Sequence, residues 1–371
     1  MIPFNKPYFT NKEINYVRDS LSSGHVSGNG SFTKSCQNFF QQRWNFQKCL
    51  LTTSCTDALE MCALLLDLEP GDEVIVPSYT FVSTALAFVR TGAKVVFVDS
   101  RPDHPGLDET LVESLITPKT RAIVAVHYAG VACDMDVLVA LSTKHDLILI
   151  EDAAQAIDSM YKRRPLGGIG HLGCFSFHET KNIQCGEGGM LVVNDDRFIP
   201  RSEILWEKGT NRTQFFRGEV NKYGWVDTGS SFLASDLSAA VLMAQLESLD
   251  KIQKQRLKIW HTYDKLLRNS VSGFKTPEIP DYATNNAHNY YLVAESKVQR
   301  DRMIAILKSK QIHAVFHYLP LHLSEFYLKR HPLSSLPNAE YYGDCLLRLP
   351  FHLSMSISDV EAVSQLFMES A

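Results

Sequence analysis

The strongest constraint on this chain is a series of short apolar runs, each followed by a helical pattern. The runs are "CLLTT" (49–53), "EVIVP" (73–77), "KVVFVD" (94–99), "RAIVAVHY" (121–128), "LILIED" (147–152), "CFSF" (174–177) and "MLVVND" (190–195). Most are unbroken stretches of Val, Ile and Leu. A strand with one wet face alternates polar and apolar residues, whereas a strand covered on both faces does not. Segments 56–67, 80–90, 109–117 and 134–145 carry helical patterns between the runs. Strand and helix in alternation predict an α/β fold: a mostly parallel, mixed seven-stranded sheet with helices on both faces.

The pattern changes after residue 235. "SDLSAAVLMAQLESLDKIQKQRLKIWHTYDKLLRN" reads as long helix with Ser235 as N-cap and a bend near Leu249–Asp250. A Pro- and Asn-rich connection (272–289) leads to strands near 290–295 and 312–316 and helices near 298–309, 336–346 and 358–369. With 371 residues, 45% of them apolar, the chain has material for two cores. The expected units are a large α/β domain, 1–245, and a smaller α+β domain, 246–371, with the first ten or so residues packing on the second.

A net charge of −4 provides no basic field for nucleic acid or anionic lipid. No apolar run approaches the ~18 residues that span a bilayer. The start "MIPFNKPYFT" turns polar within a few residues, so a cytoplasmic protein is expected. The eight cysteines form no CxxC pair, which favours free thiols over a disulfide framework or a metal site. "HETKN" opens like a zinc-binding HExxH, but Asn182 stands where the second histidine belongs. "GIGHLG" (168–173) contains a GxGxxG that leads into a strand rather than a helix, against the dinucleotide fingerprint.

In open α/β sheets, ligands bind beyond the carboxyl ends of the strands. Polar residues there are the candidates. At 53–57, "TSCTD" joins a strand to a helix, whose N-terminus attracts phosphate; the same Ser54 and Asp57 also fit a capping box. "PSYTF" puts Tyr79 and Phe81 after another strand, as a cover for a flat ligand or as plain core aromatics. "LILIEDAAQ" ends an apolar strand with Glu151, Asp152 and Gln155, where the carboxylate either meets a cation or caps a following helix. Lys181 joins these pieces. It follows "CFSF" and precedes "GEGG", whose glycines let the backbone pass close to a bulky group. A lysine in a dry pocket has a depressed pKa and forms Schiff bases. A phosphate cradle, an aromatic cover, a strand-end carboxylate and such a lysine together describe a site for pyridoxal 5'-phosphate (PLP), with the carboxylate on the pyridine nitrogen. The rival readings are a nicotinamide-dependent sugar oxidoreductase and a non-catalytic PLP-binding regulator.

Over essentially its whole length the chain resembles the sugar-nucleotide aminotransferases of the DegT/DnrJ/EryC1/StrS family, which are fold type I PLP enzymes. "GDEVIVPSYTFVSTALAF", "VHYAGVACDMD", "IEDAAQAI", "CFSFHETKN", "GEGGMLVVND" and "VFHYLPLH" carry the resemblance. It implies roles by position. Lys181 is the catalytic Schiff-base lysine, Asp152 the partner of the pyridine nitrogen, Gln155 the neighbour of the ring hydroxyl, and Phe81 the stacking ring. Cys55, Thr56 and Ser176 bind the phosphate. His178, on the active-site loop, and Tyr318, from the second domain, approach substrate. The resemblance further implies PLP alternating with pyridoxamine 5'-phosphate, L-glutamate and a dTDP-4-keto-6-deoxy sugar as substrates, and a homodimer with shared sites. Lysine at 181, rather than histidine, separates the chain from relatives that dehydrate sugars. Where many relatives have an asparagine that reaches the partner's phosphate, this chain has Leu233, with Ser230 and Ser231 nearby. The segment 208–225 interleaves Arg212, Arg217 and Lys222 with aromatics, which suits either a diphosphate of substrate or a solvated surface loop.

Overall fold

The computed structural model describes residues 1–369. All seven apolar runs are strands of one sheet: β1 (Lys48–Thr52), β2 (Glu73–Pro77), β3 (Lys94–Val98), β4 (Thr120–Val126), β5 (Ile148–Asp152), β6 (Leu172–Ser176) and β7 (Gly189–Val193). Their order is β1-β7-β6-β5-β4-β2-β3. The pairs from β6 through to β3 are parallel; β7 runs antiparallel to both β6 and β1.

Alternation along each strand splits the core in two. Ile123, Ala125 and Leu149 face one layer, with Phe40, Trp44, Leu138 and Leu242. Ala122, Val124 and Ile150 face the other, with Leu59, Cys62, Phe88 and Trp206. Both faces are dry, which explains why the runs lack alternation.

The helix expected from Ser235 is two helices, Asp236–Leu246 and Leu249–Leu267, with the break at Glu247 and Ser248, slightly before the anticipated bend. The Ser235 hydroxyl caps the first by accepting from Ser238 N–H. Beyond them lies a four-stranded antiparallel sheet of β8 (Phe274–Lys275), β9 (Tyr291–Ala294), β10 (Val315–Phe316) and β11 (Leu346–Arg348), in the order β8-β9-β11-β10. Leu292, Leu347 and Leu349 turn into a core with Trp260, Tyr263 and Phe367. Tyr291, Val293 and Leu346 turn the opposite way, onto Tyr79 and Tyr128. The N-terminal residues run along this second unit: Ile2 bridges Ile312, and Phe351 N–H donates to Phe4 O at 3.0 Å.

Candidate active site

Strand ends of the large sheet and one edge of the small sheet enclose a cavity of about 590 Å³. Nine residues singled out from the sequence line it: Cys55, Thr56, Phe81, Asp152, Gln155, Ser176, His178, Lys181 and Tyr318.

The end of β1 becomes the start of the helix Cys55–Leu65. Ser54 caps it, accepting from Asp57 N–H at 3.0 Å, while the Asp57 carboxylate accepts from the Thr53 hydroxyl rather than from Ser54 N–H, so only half of the expected capping box forms. The cap leaves Cys55 and Thr56 facing the cavity, and the Thr56 hydroxyl donates to Ser83 Oγ at 2.8 Å. Hydroxyls beside free helix N–H groups form an anion cradle. Gly189 makes room for it. A Cβ there would lie 2.3 Å from the Ser54 carbonyl carbon and oxygen, so any side chain would force β7 away from the helix start.

Asp152, at the end of β5, is buried. The helix-cap alternative fails because residues 153–158 fold as turns. Its Oδ2 accepts from the Thr84 hydroxyl at 2.8 Å and its Oδ1 from Ala154 N–H at 3.1 Å. Burial nevertheless pushes its pKa up, and those bonds together with Lys181 only offset part of the rise. Gln155 accepts from Ala129 N–H at 2.7 Å and donates to Tyr318 Oη at 3.1 Å, bridging the two units across the cavity. Phe81 is 56% exposed at the rim, 6.1 Å between centroids from the tilted Tyr318 ring.

Lys181 sits on a loop closed by backbone bonds from Phe177 N–H to Gly188 O at 2.8 Å and Cys185 N–H to Phe177 O at 2.9 Å. Burial lowers its ammonium pKa; Cys55 and Asp152 counteract this and Arg348 adds to it. The amine is therefore biased toward its neutral, nucleophilic form. The next residue anchors the loop: Asn182 donates to Gln253 Oε1 and Asn286 O, both at 2.9 Å, and accepts from His288 Nδ1 at 2.9 Å. Cys185 packs beneath the loop, its thiol donating to Glu187 O at 3.2 Å.

The arrangement fits PLP. A biased-neutral lysine, a buried carboxylate in need of a cationic partner, and a hydroxyl-lined helix N-terminus converge on one cavity. A profile of the DegT/DnrJ/EryC1/StrS aminotransferase family matches residues 7–367. The chain belongs to this family. It is a PLP-dependent sugar aminotransferase. The spore coat polysaccharide biosynthesis protein SpsC of Bacillus subtilis is 34% identical over 98% of this chain and 95% of its own length. The putative sugar aminotransferase Spr1654 from Streptococcus pneumoniae, solved in PMP and PLP forms, superposes with a TM-score of 0.93 for the PMP form, at 28% identity over 100% of this chain and 98% of that one. S. venezuelae DesV gives 0.91 at 31% identity, over 100% and 98%.

Relative to this family site, Arg212 and Arg217 are not where a substrate contact within one chain would put them. Neither lines the cavity. Arg217 pairs with Glu203 at 2.7 Å and Glu219 at 2.6 Å; Arg212 lies 3.6 Å from Glu207 and over the Phe216 ring. Leu233 bridges Thr52 through its backbone.

The GxGxxG loop has a different occupant from a nucleotide. The N–H groups of Gly167, Ile169 and Gly170 donate to the Glu151 carboxylate at 2.6–2.7 Å. Sequence reasoning missed Thr84, His127, His288, His317 and Arg348, which also line the cavity. His127, in "VHYAG" after β4, carries a strand-end signal that could have flagged it, and His317 and Arg348 stand at the ends of the short strands β10 and β11.

Proposed function

We propose that this enzyme moves an amino group from L-glutamate to C4 of dTDP-4-keto-6-deoxyglucose. The product would be dTDP-4-amino-4,6-dideoxygalactose, for a bacterial surface polysaccharide such as enterobacterial common antigen or O-antigen. The observation that carries the aminotransferase chemistry is the meeting of Lys181, Asp152 and the Cys55–Thr56 helix start in one cavity. The sugar rests on the likeness of "FHETKN" and of segment 207–237 to dTDP-4-amino-4,6-dideoxygalactose transaminase. The polysaccharide role named for SpsC is in keeping with it.

Bound PLP supplies an electron sink for the proton transfers at substrate carbon. The chain supplies the rest. Cys55, Thr56 and Ser176 would hold its phosphate, Asp152 would pair with the ring nitrogen, Gln155 would take the ring hydroxyl, and Phe81 would cover a ring face. Lys181 Nζ, whose pKa burial lowers, takes the proton from Cα of the amino acid and, in the return direction, delivers one to C4 of the sugar. The face from which Nζ delivers that proton sets galacto against gluco product. His178 and Tyr318 are assigned to the sugar nucleotide.

We assign the catalytic unit to residues 1–245 and 246–371 acting as two domains, in a homodimer with shared sites. The exposed Phe81, Val82, Phe216 and Trp225 support a partner surface. The loop bearing Arg212 and Arg217 would then meet the partner's substrate, and Ser230 or Ser231, both exposed, would take the phosphate contact that Leu233 cannot make. The test is NMR of the product formed from dTDP-4-keto-6-deoxyglucose and L-glutamate. An axial amine at C4 is expected. A gluco product, or amination only of a 3-keto sugar, would refute the assignment.

A further inference from the structure

Three residues from distant parts of the chain line up in the order serine, histidine, carboxylate. Ser78 follows β2, His322 belongs to the segment after β10, and Glu340 stands on the helix Pro337–Cys345. Ser78 Oγ lies 2.7 Å from His322 Nδ1, and His322 Nε2 lies 3.3 Å from Glu340 Oε1. By residue type these are a nucleophile, a base and an orienting carboxylate. Access rules that use out. Ser78 and His322 are both 0% exposed, and none of the three lines the active-site cavity. Ser78 Oγ accepts from the His322 backbone N–H at 3.2 Å, and its own proton goes to Nδ1. That leaves Nε2–H to donate to Glu340, with the ring neutral.

The trio joins the two units. Leu321 N–H donates to Ser78 O at 2.9 Å, so Ser78 holds two successive residues of the small unit. Glu340 is fixed independently. Its Oε1 accepts from Leu336 N–H at 2.9 Å, and the start of its helix is pinned to the end of β3 by Asp99, which accepts from Asn338 N–H at 3.1 Å and Ala339 N–H at 2.7 Å. Pro320 is wedged against the same helix: a Cβ at Gly343 would lie 2.6 Å from its Cδ.

A fully buried imidazole is a costly space-filler, because each nitrogen that loses its partner becomes a buried unpaired group. Its position explains its use. Just beyond Ser78 comes Phe81, and just before His322 comes Tyr318; both line the cavity, with ring centroids 6.1 Å apart. We propose that His322 is a positioning residue for the sugar half-reaction. Through Nδ1 it locks segment 318–322 onto the end of β2, and so sets where Tyr318 stands relative to Phe81 and Gln155. The inference rests on the assignment of Tyr318 to the sugar nucleotide.

The two ring nitrogens can be replaced one at a time: an asparagine amide reaches the place of Nδ1, a glutamine amide that of Nε2. The test compares holoenzyme of wild type, His322→Asn, His322→Gln, Ser78→Ala and Tyr318→Ala. Three quantities are read: the KM for dTDP-4-keto-6-deoxyglucose, the single-turnover rate with L-glutamate, and the circular dichroism of the bound cofactor. His322→Gln and Ser78→Ala should each raise that KM about tenfold, for one buried bond lost, and leave the L-glutamate rate within about threefold. Both should alter the dichroic band, since Gln155 donates to Tyr318 Oη. Combining the two substitutions should add little to either alone. His322→Asn should keep KM and dichroism near wild type even if its melting temperature falls. Melting temperatures that fall in every variant, with KM and dichroism unmoved, would mean a purely structural histidine and overturn the proposal. So would equal effects of the Asn and Gln substitutions. Tyr318→Ala separates the failures. If it leaves the KM unchanged, the assignment of Tyr318 fails and this proposal with it; if it raises the KM while Ser78→Ala does not, this proposal alone fails. For a wild type that does not turn over this sugar nucleotide, the dichroism decides by the same comparison.

Discussion

Glu151→Gln is a one-atom change whose cost follows from four hydrogen bonds. Oε1 accepts from Ile169 and Gly170 N–H, both at 2.6 Å; Oε2 accepts from Gly167 N–H at 2.7 Å and lies 3.0 Å from His127 Nε2. His127 Nδ1 accepts from Cys133 N–H at 3.3 Å, so its proton is on Nε2 and the ring is a fourth donor. A glutamine amide must turn its NH₂ toward one of these pairs. On the Oε1 side it faces two backbone N–H groups. On the Oε2 side it faces Gly167 N–H and a histidine that can retautomerise only by giving up Cys133. Either way at least one buried donor is left unpaired, at about 1–3 kcal/mol, and the surviving bonds lose their charge assistance. The expected total is about 3 kcal/mol, felt locally in the 165–171 loop. Hydrogen exchange is the direct assay. Protection of the Gly167, Ile169 and Gly170 amides should fall about 100-fold, while that of Val124 and Leu191 in the central sheet holds. Protection within about threefold of wild type would show that the glycine loop does not depend on the carboxylate, and the account given for it would be wrong.

Three further outcomes follow. In the apoprotein, Lys181→Met should stabilise at neutral pH. The folded-state pKa of Lys181 lies below its ordinary 10.5, so the unfolded chain binds the extra proton between those values and wild-type stability rises with pH through that window. The advantage of the variant should shrink toward pH 10.5, and urea unfolding at pH 7 and pH 10 that shows no such convergence would refute the buried-amine reading. Asp152→Asn should cut kcat at least about 100-fold with the cofactor still bound, since a preorganised charge facing the ring nitrogen is lost; an unchanged kcat in steady-state assay would remove Asp152 from the chemistry. Arg217→Ala, at a half-exposed site, should change stability by less than about 1 kcal/mol. It should nevertheless raise the KM for the proposed sugar-nucleotide substrate or weaken the proposed dimer in sedimentation, and if neither moves the loop is surface decoration.

The sheet was legible because burial on both faces leaves no polar register to confuse the strands. The cofactor side of the cavity was legible for a related reason: Thr56, Asp152, Ser176 and Lys181 all follow strand ends, where chemistry in this architecture collects. The other wall was not. Arg348 stands on a strand that begins at Leu346, directly where the helix Pro337–Cys345 stops, with no turn residue between them. His288 and His317 come from loops flanking short strands, and only the packing of the second unit against Tyr79 and Tyr128 brings them to the cavity. Nothing in local spacing encodes that approach. Arg212 and Arg217 differ again: within one chain this basic, aromatic segment spends its charges on Glu203, Glu207 and Glu219, so any phosphate contact it makes is with a second chain.

Glu151 and Asp152 show how neighbouring carboxylates acquire different work. The strand sends them to opposite faces, Glu151 with Leu149 toward one core layer and Asp152 with Ile150 toward the other. Glu151 reaches a loop whose backbone offers it three donors, with His127 as a fourth, so its charge is fully spent inside the protein. Asp152 reaches a cavity where Thr84 and Ala154 supply only two, and burial still raises its pKa. The deficit is the useful quantity. A carboxyl group short of partners in a dry site gains most from a cationic N–H, and a protonated ring nitrogen offers one. Filling the Asp152 side with further donors, for instance by Ala154→Ser, should therefore lower its pKa and weaken its hold on the ring nitrogen. A red-shift or loss of the cofactor's visible band in that variant, at unchanged cofactor content, would register the competition, and an unaltered spectrum across the pH range would argue that the deficit has no functional weight.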